Sequence, residues 1–272
     1  MDRLRSLSTW TVLVAYSLLV LVPLYLMFVS SMKTTQEIYA APLALPSRLT
    51  LDNFVNAWQR AHFSTYFINS AIVTVSSVVL TLLVSLPASY AMSRYRMRWL
   101  AVVLVFFLLG LMLPVRLGVV RLFLLMRDLG QLDTLTGLIM IYVGVRIPFA
   151  IFVLANFMRT IPREMEEAAR IDGANDVQIL RYVIAPLVSP AIAIVGIFTA
   201  IAVWNDFFFP LIFVFSDENK TIPLGLATFI GQYQSDWGAL FAGLTISALP
   251  LMFVYLLTSR QIRSGISTGA VR

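Results

Sequence analysis

The chain has 272 residues, of which 59% are hydrophobic and only 12% are charged, and its formal net charge is +6. Soluble globular domains carry about 25% charged residues, so this composition excludes a single water-soluble domain and favours several transmembrane helices. The basic residues lie in short clusters between apolar runs instead of forming one stripe, which argues against a nucleic-acid-binding protein and is typical of membrane topology signals.

The N-terminal part of the chain contains two predicted spans. Residues 1–9 are a short basic segment, and residues 10–31 are an uncharged run long enough to cross a hydrocarbon layer of about 30 Å. A cleaved signal peptide is the alternative for this run, although its apolar region would be only about 7–15 residues long. Residues 32–67 are predicted to form an extracytoplasmic loop, and residues 68–92 the second span, whose small side chains let helices approach closely.

Four more apolar runs complete the prediction of an all-α membrane protein with six transmembrane helices. The predicted core, residues 68–260, precedes a tail of residues 261–272. The predicted third to sixth spans are residues 100–126, 135–158, 187–215 and 238–258.

The distribution of lysine and arginine predicts the orientation of these spans. Twelve basic residues fall on the side of the termini and of residues 159–186, against seven in the opposite loops and adjoining helix ends. Because loops rich in Lys and Arg remain in the cytoplasm, we expect both termini and residues 159–186 to be cytoplasmic. The twelve are Arg3, Arg5, Arg94, Arg96, Arg98, Arg159, Arg163, Arg170, Arg181, Arg260, Arg263 and Arg272; the seven are Lys33, Arg48, Arg60, Arg116, Arg121, Arg127 and Lys220.

Residues 160–186 form a polar stretch that holds five of the fourteen acidic residues. Pro162 suits the first turn of a helix, where its missing N–H costs nothing, and the glutamates that follow lie near the positive end of the helix dipole. Gly173 fits a left-handed helix terminator, and Asn175 fits the N-cap of a second short helix. The sequence therefore predicts a helix–turn–helix between the fourth and fifth spans.

The first of these two helices presents a small face. Met165, Ala168, Ala169 and Asp172 recur at helical spacing, so the helix can lie close in a groove of a partner, with charged side chains at the rim. The alternative is a helix resting on lipid headgroups. That arrangement favours a basic polar face above bulky apolar residues, whereas this helix is acidic and rich in alanine.

Several motifs together resemble a known family. Glu167-Ala168-Ala169, Gly173 and Val183-Ile184-Ala185-Pro186 resemble the EAA loop of ABC-importer permeases; the departure is Ala185, where leucine is usual before the proline. The remaining motifs resemble the carbohydrate-uptake permeases of the maltose-transporter type, and the resemblance covers essentially the whole chain. They are Trp204-Asn205-Asp206-Phe207, residues 221–226, Asp236-Trp237-Gly238 and Gly269-Ala270-Val271.

The resemblance implies a type I ABC importer permease fold with a cytoplasmic EAA coupling helix, in the bacterial inner membrane. It also implies a second permease chain, two ATPase subunits and an extracytoplasmic binding protein as partners. ATP and magnesium would be bound by the ATPase subunits, and this chain would bind no cofactor or metal. The residues implied in ATPase coupling are Glu166, Glu167, Ala168, Ala169, Asp172 and Gly173.

The residues themselves point away from catalysis. The sequence contains no Gly-Lys dipeptide and therefore no phosphate-binding loop, so ATP hydrolysis would have to come from another chain. It also contains no cysteine and only one histidine, which excludes disulfides, thiolate metal sites and cysteine nucleophiles. With the resemblance, this implies a translocation subunit for a sugar, an oligosaccharide or a sugar derivative that works by alternating access.

Ionisable residues inside spans are candidates for the substrate path, because such groups are costly unless they face water or a partner. Trp204 could stack on a sugar ring while Asn205 and Asp206 hydrogen-bond its hydroxyls. The alternative is a polar clamp between helices that orders the bundle, and the sequence leaves both open.

Three arginines, Arg116, Arg121 and Arg146, are unusual for the family, whose third helix normally stays apolar after Leu113-Pro114 and has a second proline near the position of Arg121. They could serve an anionic sugar, or they could lie at the outer interface, snorkelling or pairing with Asp128, Asp133 or the binding protein. Two rivals from other classes are a secondary transporter that uses Asp206 as a proton site and an intramembrane enzyme. The enzyme would need a catalytic partner for Asp206, and no obvious one is present.

Overall fold

The computed structural model describes residues 2–60, 62–95, 97–112, 114–230 and 235–269, with side chains described except at residues 2–8, 60, 255 and 257–269. Arg96 and residues 270–272 lie outside the described residues, as do the side chains of Arg3, Arg5, Arg60, Arg260 and Arg263, so their predicted placement is not addressed by the structure.

The described chain is helical throughout, apart from turns, loops and an isolated antiparallel bridge between Ile230 and Ser235. A π-helical turn spans Leu180–Ile184, and a 3₁₀ turn spans Val115–Gly118. In order, the helices are α1 Asp2–Ser30, α2 Thr35–Ala40, α3 Asp52–Arg60, α4 Phe63–Arg94, α5 Arg98–Met112, α6 Val119–Asp128, α7 Leu135–Arg159, α8 Glu164–Ile171, α9 Asp176–Ile179, α10 Ala185–Leu187, α11 Ser189–Trp204, α12 Phe208–Phe213, α13 Ile222–Leu226 and α14 Trp237–Gly269.

Four segments of the described helices are long and apolar enough to cross a bilayer: Thr9–Ser30, Phe63–Arg94, Leu135–Arg159 and Trp237–Val254. Two further pairs of helical segments meet the same test only when each bent pair is taken as one span, which gives four to six candidate spans. Many of their apolar side chains, such as Val102 and Phe106 of α5, are exposed. That pattern suits contact with lipid, and the chain is accordingly a multi-pass membrane protein.

The third predicted span differs from the expected continuous helix over residues 100–126. The structure has α5 and α6 in its place, with the segments Arg98–Met112 and Val115–Asp128 inclined at 88°. Pro114 has an extended backbone, with φ −73° and ψ 94°, and lacks the N–H that would continue a helical ladder. The hydropathy of the sequence predicts one continuous span here because the residues on both sides of the break are mostly apolar.

The fifth predicted span, residues 187–215, is also divided. Helix α11 ends at Trp204, and α12 begins at Phe208 after a three-residue break. At its other end, Ser189–Trp204 is inclined at 78° to the segment Asp176–Leu187. The fourth predicted span, by contrast, matches α7 closely, and the second and sixth lie inside the longer helices α4 and α14.

The contacts divide the chain into two compact units. The first comprises residues 1–67 and 222–250, and its small buried core contains Ala57, Ala239 and Ala242. The second comprises residues 68–221 and 251–272, and its buried cluster joins the ends of α4 and α7 to the segment after α9. That cluster consists of Tyr90, Ala150, Leu154, Met158, Ile179, Ile184, Val188, Ala191 and Val195.

Candidate functional site

The predicted helix–turn–helix is present in the second unit, and residues 160–187 are called the loop element from here on. Gly173 adopts a left-handed backbone with φ +85° at the end of α8, as its position predicts. Asn175 caps α9 through a reciprocal capping box with Gln178. One detail differs: α8 begins at Glu164 with Arg163 as its N-cap, so Pro162 precedes the cap and is not in the first turn.

One face of the loop element is anchored in the protein. Ile179 and Ile184 are fully buried in the cluster that includes Leu154 and Met158 of α7. Ala169 of α8 packs against the same cluster. The loop element is therefore held to the ends of the spans by an apolar core, and its position follows theirs.

The opposite face of the loop element is exposed and partly apolar. Ile171 is 86% exposed and Val177 is 74% exposed, and Met165 and Tyr182 are exposed as well. Such apolar side chains standing together on a polar segment mark an interaction surface. Of these four residues only Met165 belongs to the small face predicted for the first helix. The signal that could have identified the other three is their position as isolated apolar residues in a polar stretch.

The residues predicted for coupling divide between the two faces. Glu167, Ala168 and Asp172 are exposed, and Ala169 is half-buried. Glu166, which is also predicted for coupling, differs from these neighbours because it is only 6% exposed. The adjacent glutamates Glu166 and Glu167 therefore lie on different sides of α8.

Polar contacts join α8 to α9 and to the chain that follows α4. Asp176 accepts a hydrogen bond from Arg170 at 2.5 Å and another from the hydroxyl of Tyr95. The hydrogen bond to Asp176 raises the pKa of Tyr95, so the phenol stays protonated at physiological pH. A polar cavity of about 130 Å³ lies beside these groups, lined by Arg94, Tyr95, Arg163, Glu166, Glu167 and Arg170.

A second candidate site, the arginine–aspartate cluster, comprises Arg116, Tyr142, Arg146 and Asp206. Asp206 accepts hydrogen bonds from the hydroxyl of Tyr142 and from the backbone N–H of Phe209, both at 3.0 Å. The second bond satisfies an N–H in the first turn of α12, so the carboxylate helps to hold the start of that helix after the break. These contacts favour the interhelical clamp for Asp206, the alternative that the sequence left open.

The three arginines differ in how exposed their side chains are. Arg116 is in the 3₁₀ turn; its side chain is 71% exposed, with one guanidinium nitrogen 4.0 Å from Asp206 and Cζ 4.9 Å from the centre of the Phe208 ring. Arg146 follows Tyr142 by one turn of α7, and its Nε is buried without a hydrogen-bond partner among the described residues. Arg121 is exposed on α6. The structure thus brings Arg116 to Asp206 and places Arg146 on the helix face of Tyr142.

Trp204 and Asn205 do not join Asp206 in a sugar-binding arrangement in this conformation. Trp204 is only 7% exposed, so its ring is covered. Asn205 is exposed, but its side-chain amide donates to the carbonyl of Ile201 in its own helix at 2.8 Å. The expected pairing of Arg116 or Arg121 with Asp128 or Asp133 is not seen among the described residues, because Asp128 pairs with Arg127 and Asp133 accepts from Phe215 and Ser216.

Comparison with known proteins gives agreement over nearly the whole chain. Residues 65–265 match the family described as binding-protein-dependent transport system inner membrane component. The chain is 37% identical over 265 residues to the probable ABC transporter permease protein YurM of Bacillus subtilis, covering 97% of this chain and 88% of YurM. It is 34% identical to the diacetylchitobiose uptake system permease protein NgcG of Streptomyces coelicolor, covering 100% and 90% of the two chains.

The fold also resembles a solved structure. A bacterial ABC transporter involved in the import of the acidic polysaccharide alginate superposes with a TM-score of 0.86 at 26% sequence identity, covering 96% of this chain and 97% of that one.

Proposed function

Because this chain belongs to the family of binding-protein-dependent transport system inner membrane components, we propose that it is the permease subunit of an ATP-driven ABC importer for a saccharide. Six spans, formed by the four long helices and the two bent pairs, would form this subunit's part of the path. The names of NgcG and of the alginate transporter support a saccharide as the substrate class. In this proposal the chain is a translocation subunit and not an enzyme.

The observation that carries the proposal is the two-faced loop element. Its buried face is packed against the ends of α4 and α7, and its other face leaves Ile171 and Val177 bare. An element with this construction can receive a soluble partner and pass its motion to the spans. The chain has no phosphate-binding loop, so the partner we propose is an ATPase subunit that binds ATP and magnesium.

The proposed mechanism is alternating access in a complex with a second permease chain, two ATPase subunits and a binding protein. Closure of the ATPase subunits on ATP moves the loop elements, and the spans turn the cavity outward to receive substrate from the binding protein. Glu167, Ala168, Asp172 and Gly173 act at the ATPase contact, with Ala169 behind them. In this orientation the loop element and both termini are cytoplasmic.

Copurification in mild detergent tests the ATPase contact. We expect Val177→Asp and Glu167→Lys to lower the amount of ATPase subunit that copurifies with the tagged chain at least tenfold, because a charge is placed in or reversed at the contact. Gly173→Asp should uncouple or disassemble the complex. Leu45→Asp is the matched control, since Leu45 is equally exposed but lies in the 41–51 loop of the first unit. Wild-type copurification and ATP hydrolysis in all three variants would exclude the proposed contact.

A specific observation favours an anionic saccharide within this substrate class. The guanidinium of Arg116 is open to solvent, and Arg146 has a buried Nε without a partner among the described residues. Arginine binds carboxylates in a bidentate manner, and the structurally similar importer acts on an acidic polysaccharide. Arg116, Arg121 and Arg146 would therefore lie along the path of an acidic sugar, with Trp204, Asn205 and Asp206 at the break between α11 and α12.

Uptake of radiolabelled alginate trisaccharide, compared with neutral maltotriose and diacetylchitobiose, tests this substrate class. Arg116→Ala and Arg121→Ala should raise the KM for the acidic sugar about tenfold, the effect of losing roughly 1.4 kcal/mol of binding. Arg127→Ala is the control, because Arg127 already pairs with Asp128. If neither variant changes transport kinetics or substrate range, the arginines do not select an anion.

The alternative function, a secondary transporter, predicts that a proton gradient and not ATP drives uptake. Uptake that collapses with a protonophore but survives loss of the ATPase subunits would support it. The contacts of Asp206 with Tyr142 and the backbone of Phe209 instead suit a fixed structural role. We therefore expect uptake to require ATP and to persist when the proton gradient is removed.

A further inference from the structure

A buried ion pair joins the loop element to the end of the second long span. Arg94 is the last residue of α4, and its Nε lies 2.5 Å from Oε1 of Glu166 in the first turn of α8. Both side chains are 8% exposed, so the pair is nearly sealed from water. Charges in such surroundings interact strongly, and either one left alone is strongly destabilising.

The other oxygen of the same carboxylate is also bound by α4. The hydroxyl of Tyr90, one turn before Arg94, donates to Oε2 of Glu166 at 3.1 Å. Both carboxylate oxygens of Glu166 therefore face α4, Oε1 through the ion pair and Oε2 through the hydrogen bond. This arrangement fixes the orientation of α8 as well as its distance from α4.

Two further hydrogen bonds cross the same boundary. Arg94 Nη2 donates to the carbonyl of Ile161 at 3.1 Å, and Arg163 Nη2 donates to the carbonyl of Arg94 at 3.4 Å. Arg94 thus holds the chain just before α8 in addition to α8 itself. Tyr90 also belongs to the buried apolar cluster, so the polar contacts around Glu166 adjoin that cluster directly.

Glu167 provides the contrast. It follows Glu166 in the sequence, yet it is exposed, and its carboxylate forms no ion pair with the part of the chain that the structure describes. Glu167 is therefore accessible to a partner protein, whereas Glu166 is buried. The inward glutamate cannot reach an ATPase without breaking the contacts with Arg94 and Tyr90.

We propose that Glu166 and Arg94 are positioning residues for coupling: their ion pair makes α8 and α4 move as one body when the ATPase displaces the loop element. This inference rests on the function proposed above. Helix α4 has 32 residues and is about 48 Å long, so a movement at Arg94 is carried across the membrane along its axis. Glu166 acts through Arg94 and has no direct contact with the ATPase.

The test measures whether the loop element and α4 keep their distance during the ATP cycle. Cysteines introduced at Arg181 and Val75, both exposed, carry spin labels in an otherwise cysteine-free chain, and the complex is trapped with ATP and vanadate. We expect the distance between the labels to stay within about 2 Å of its ATP-free value in the parent protein, since the loop element and α4 move together. A second pair at Arg181 and Leu129 reports whether the loop element moves at all.

Removing one charge should break this linkage. In assembled complexes, Glu166→Gln and Arg94→Gln should let the 181–75 distance change or broaden upon trapping. The double charge reversal, Glu166→Arg with Arg94→Glu, should restore the parent behaviour. Glu164→Gln is the matched control, because Glu164 is an exposed glutamate in the same turn of α8.

A purely structural role for the pair predicts another result. Glu166→Gln would then lower the yield or thermal stability of the complex, while the assembled fraction kept the parent distance; that outcome overturns the proposal. If the Gln variants do not assemble, Arg94→Lys keeps the charge but changes its geometry, and it is measured in the same way. An unchanged distance in Arg94→Lys also overturns the proposal, and a changed one supports it.

The failure of this inference differs from failure of the proposed function. If Val177→Asp and Glu167→Lys abolish ATPase copurification while Glu166→Gln keeps the parent distance, only the positioning role is lost. If trapping changes neither label pair and no ATPase subunit copurifies, the permease function of the loop element fails as well.

Discussion

Asp206 illustrates how one carboxylate can divide an apolar span. Helix α11 ends just before it, and the carboxylate accepts hydrogen bonds from the N–H of Phe209, in the first turn of α12, and from the hydroxyl of Tyr142. A carboxylate at this depth is tolerated because its acceptor positions are used by the protein. The contact with α7 then makes the break in the fifth span a rigid feature and not a flexible one.

Replacing Asp206 should therefore destabilise the second unit. Asp206→Ala removes a helix cap and leaves the buried hydroxyl of Tyr142 without its acceptor, and together these losses cost about 2 kcal/mol or more. Asn205→Ala is the neighbouring control, since Asn205 is exposed and bonds only within its own helix turn. Thermal unfolding of the purified complex, followed by circular dichroism, should show a clear loss for Asp206→Ala and little change for Asn205→Ala. Equal stability of both variants would contradict the clamp.

Asp133 should make stability depend on pH. Burial raises the pKa of Asp133, but hydrogen bonds from the backbone N–H groups of Ser216 and Phe215 and from the Ser216 hydroxyl outweigh it, so the pKa lies below its ordinary value. A carboxyl whose pKa is lowered in the folded state contributes stability that is complete above its unfolded pKa of about 3.9. This contribution is lost as the pH falls through the folded pKa.

The measurement compares thermal stability between pH 7 and pH 3. Asp133→Asn should be less stable than the parent by about 1–3 kcal/mol at pH 7, and the difference should shrink as the pH approaches 3. Asp128→Asn is the control, because Asp128 is exposed and pairs only with Arg127. A difference for Asp133→Asn that stays constant over this pH range would exclude ionisation as its cause.

At the scale of elements, the turn of the loop element depends on backbone conformation alone. Gly173 has a φ of +85°, and no atom lies within 4 Å of where a Cβ would stand, so a substitution meets strain but no collision. Gly173→Ala should cost about 1–2 kcal/mol, and Gly173→Asn less, because asparagine tolerates the left-handed region. The loss should appear in ATPase copurification as well as in thermal stability.

Gly118 supplies the matched control for this prediction. It also has no atom within 4 Å of a Cβ, but its φ is −86°, which any L-residue adopts. Gly118→Ala should therefore be neutral in both measurements. If Gly173→Ala is equally neutral, the left-handed turn does not hold the two helices of the loop element in their relative orientation.

The elements also show which parts of the fold and site were predictable. The fourth span and the turn at Gly173 follow from local signals, namely an apolar run of the right length and a glycine between two polar helices. The break after Trp204 could not be read in this way, because it depends on a long-range bond from Tyr142 to Asp206. The burial of Glu166 could not be predicted for the same reason. The sequence of an eight-residue helix does not indicate which of its sides other helices will cover.

At the scale of the whole molecule, the number of spans depends on whether each bent pair crosses the membrane. If α5 and α6 form one span, the turn after α6 lies on the opposite side of the membrane from Arg94 at the end of α4; if they re-enter, it lies on the same side as Arg94. The excess of Lys and Arg around the loop element predicts the first arrangement, with the loop element in the cytoplasm. The same reasoning applies to the second bent pair and the loop around Glu218.

Single-cysteine labelling decides between these arrangements, because the parent chain has no cysteine of its own. A membrane-impermeant maleimide added to intact cells should label Leu45→Cys, Leu129→Cys and Glu218→Cys, all exposed positions, but not Val177→Cys. After permeabilisation and removal of the ATPase subunits all four should react, and the parent chain should stay unlabelled throughout. Protection of Leu129→Cys in intact cells would mean that the first bent pair re-enters, and protection of Glu218→Cys would mean the same for the second. Labelling of Val177→Cys from outside would reverse the proposed orientation, since no soluble ATPase could then reach the loop element.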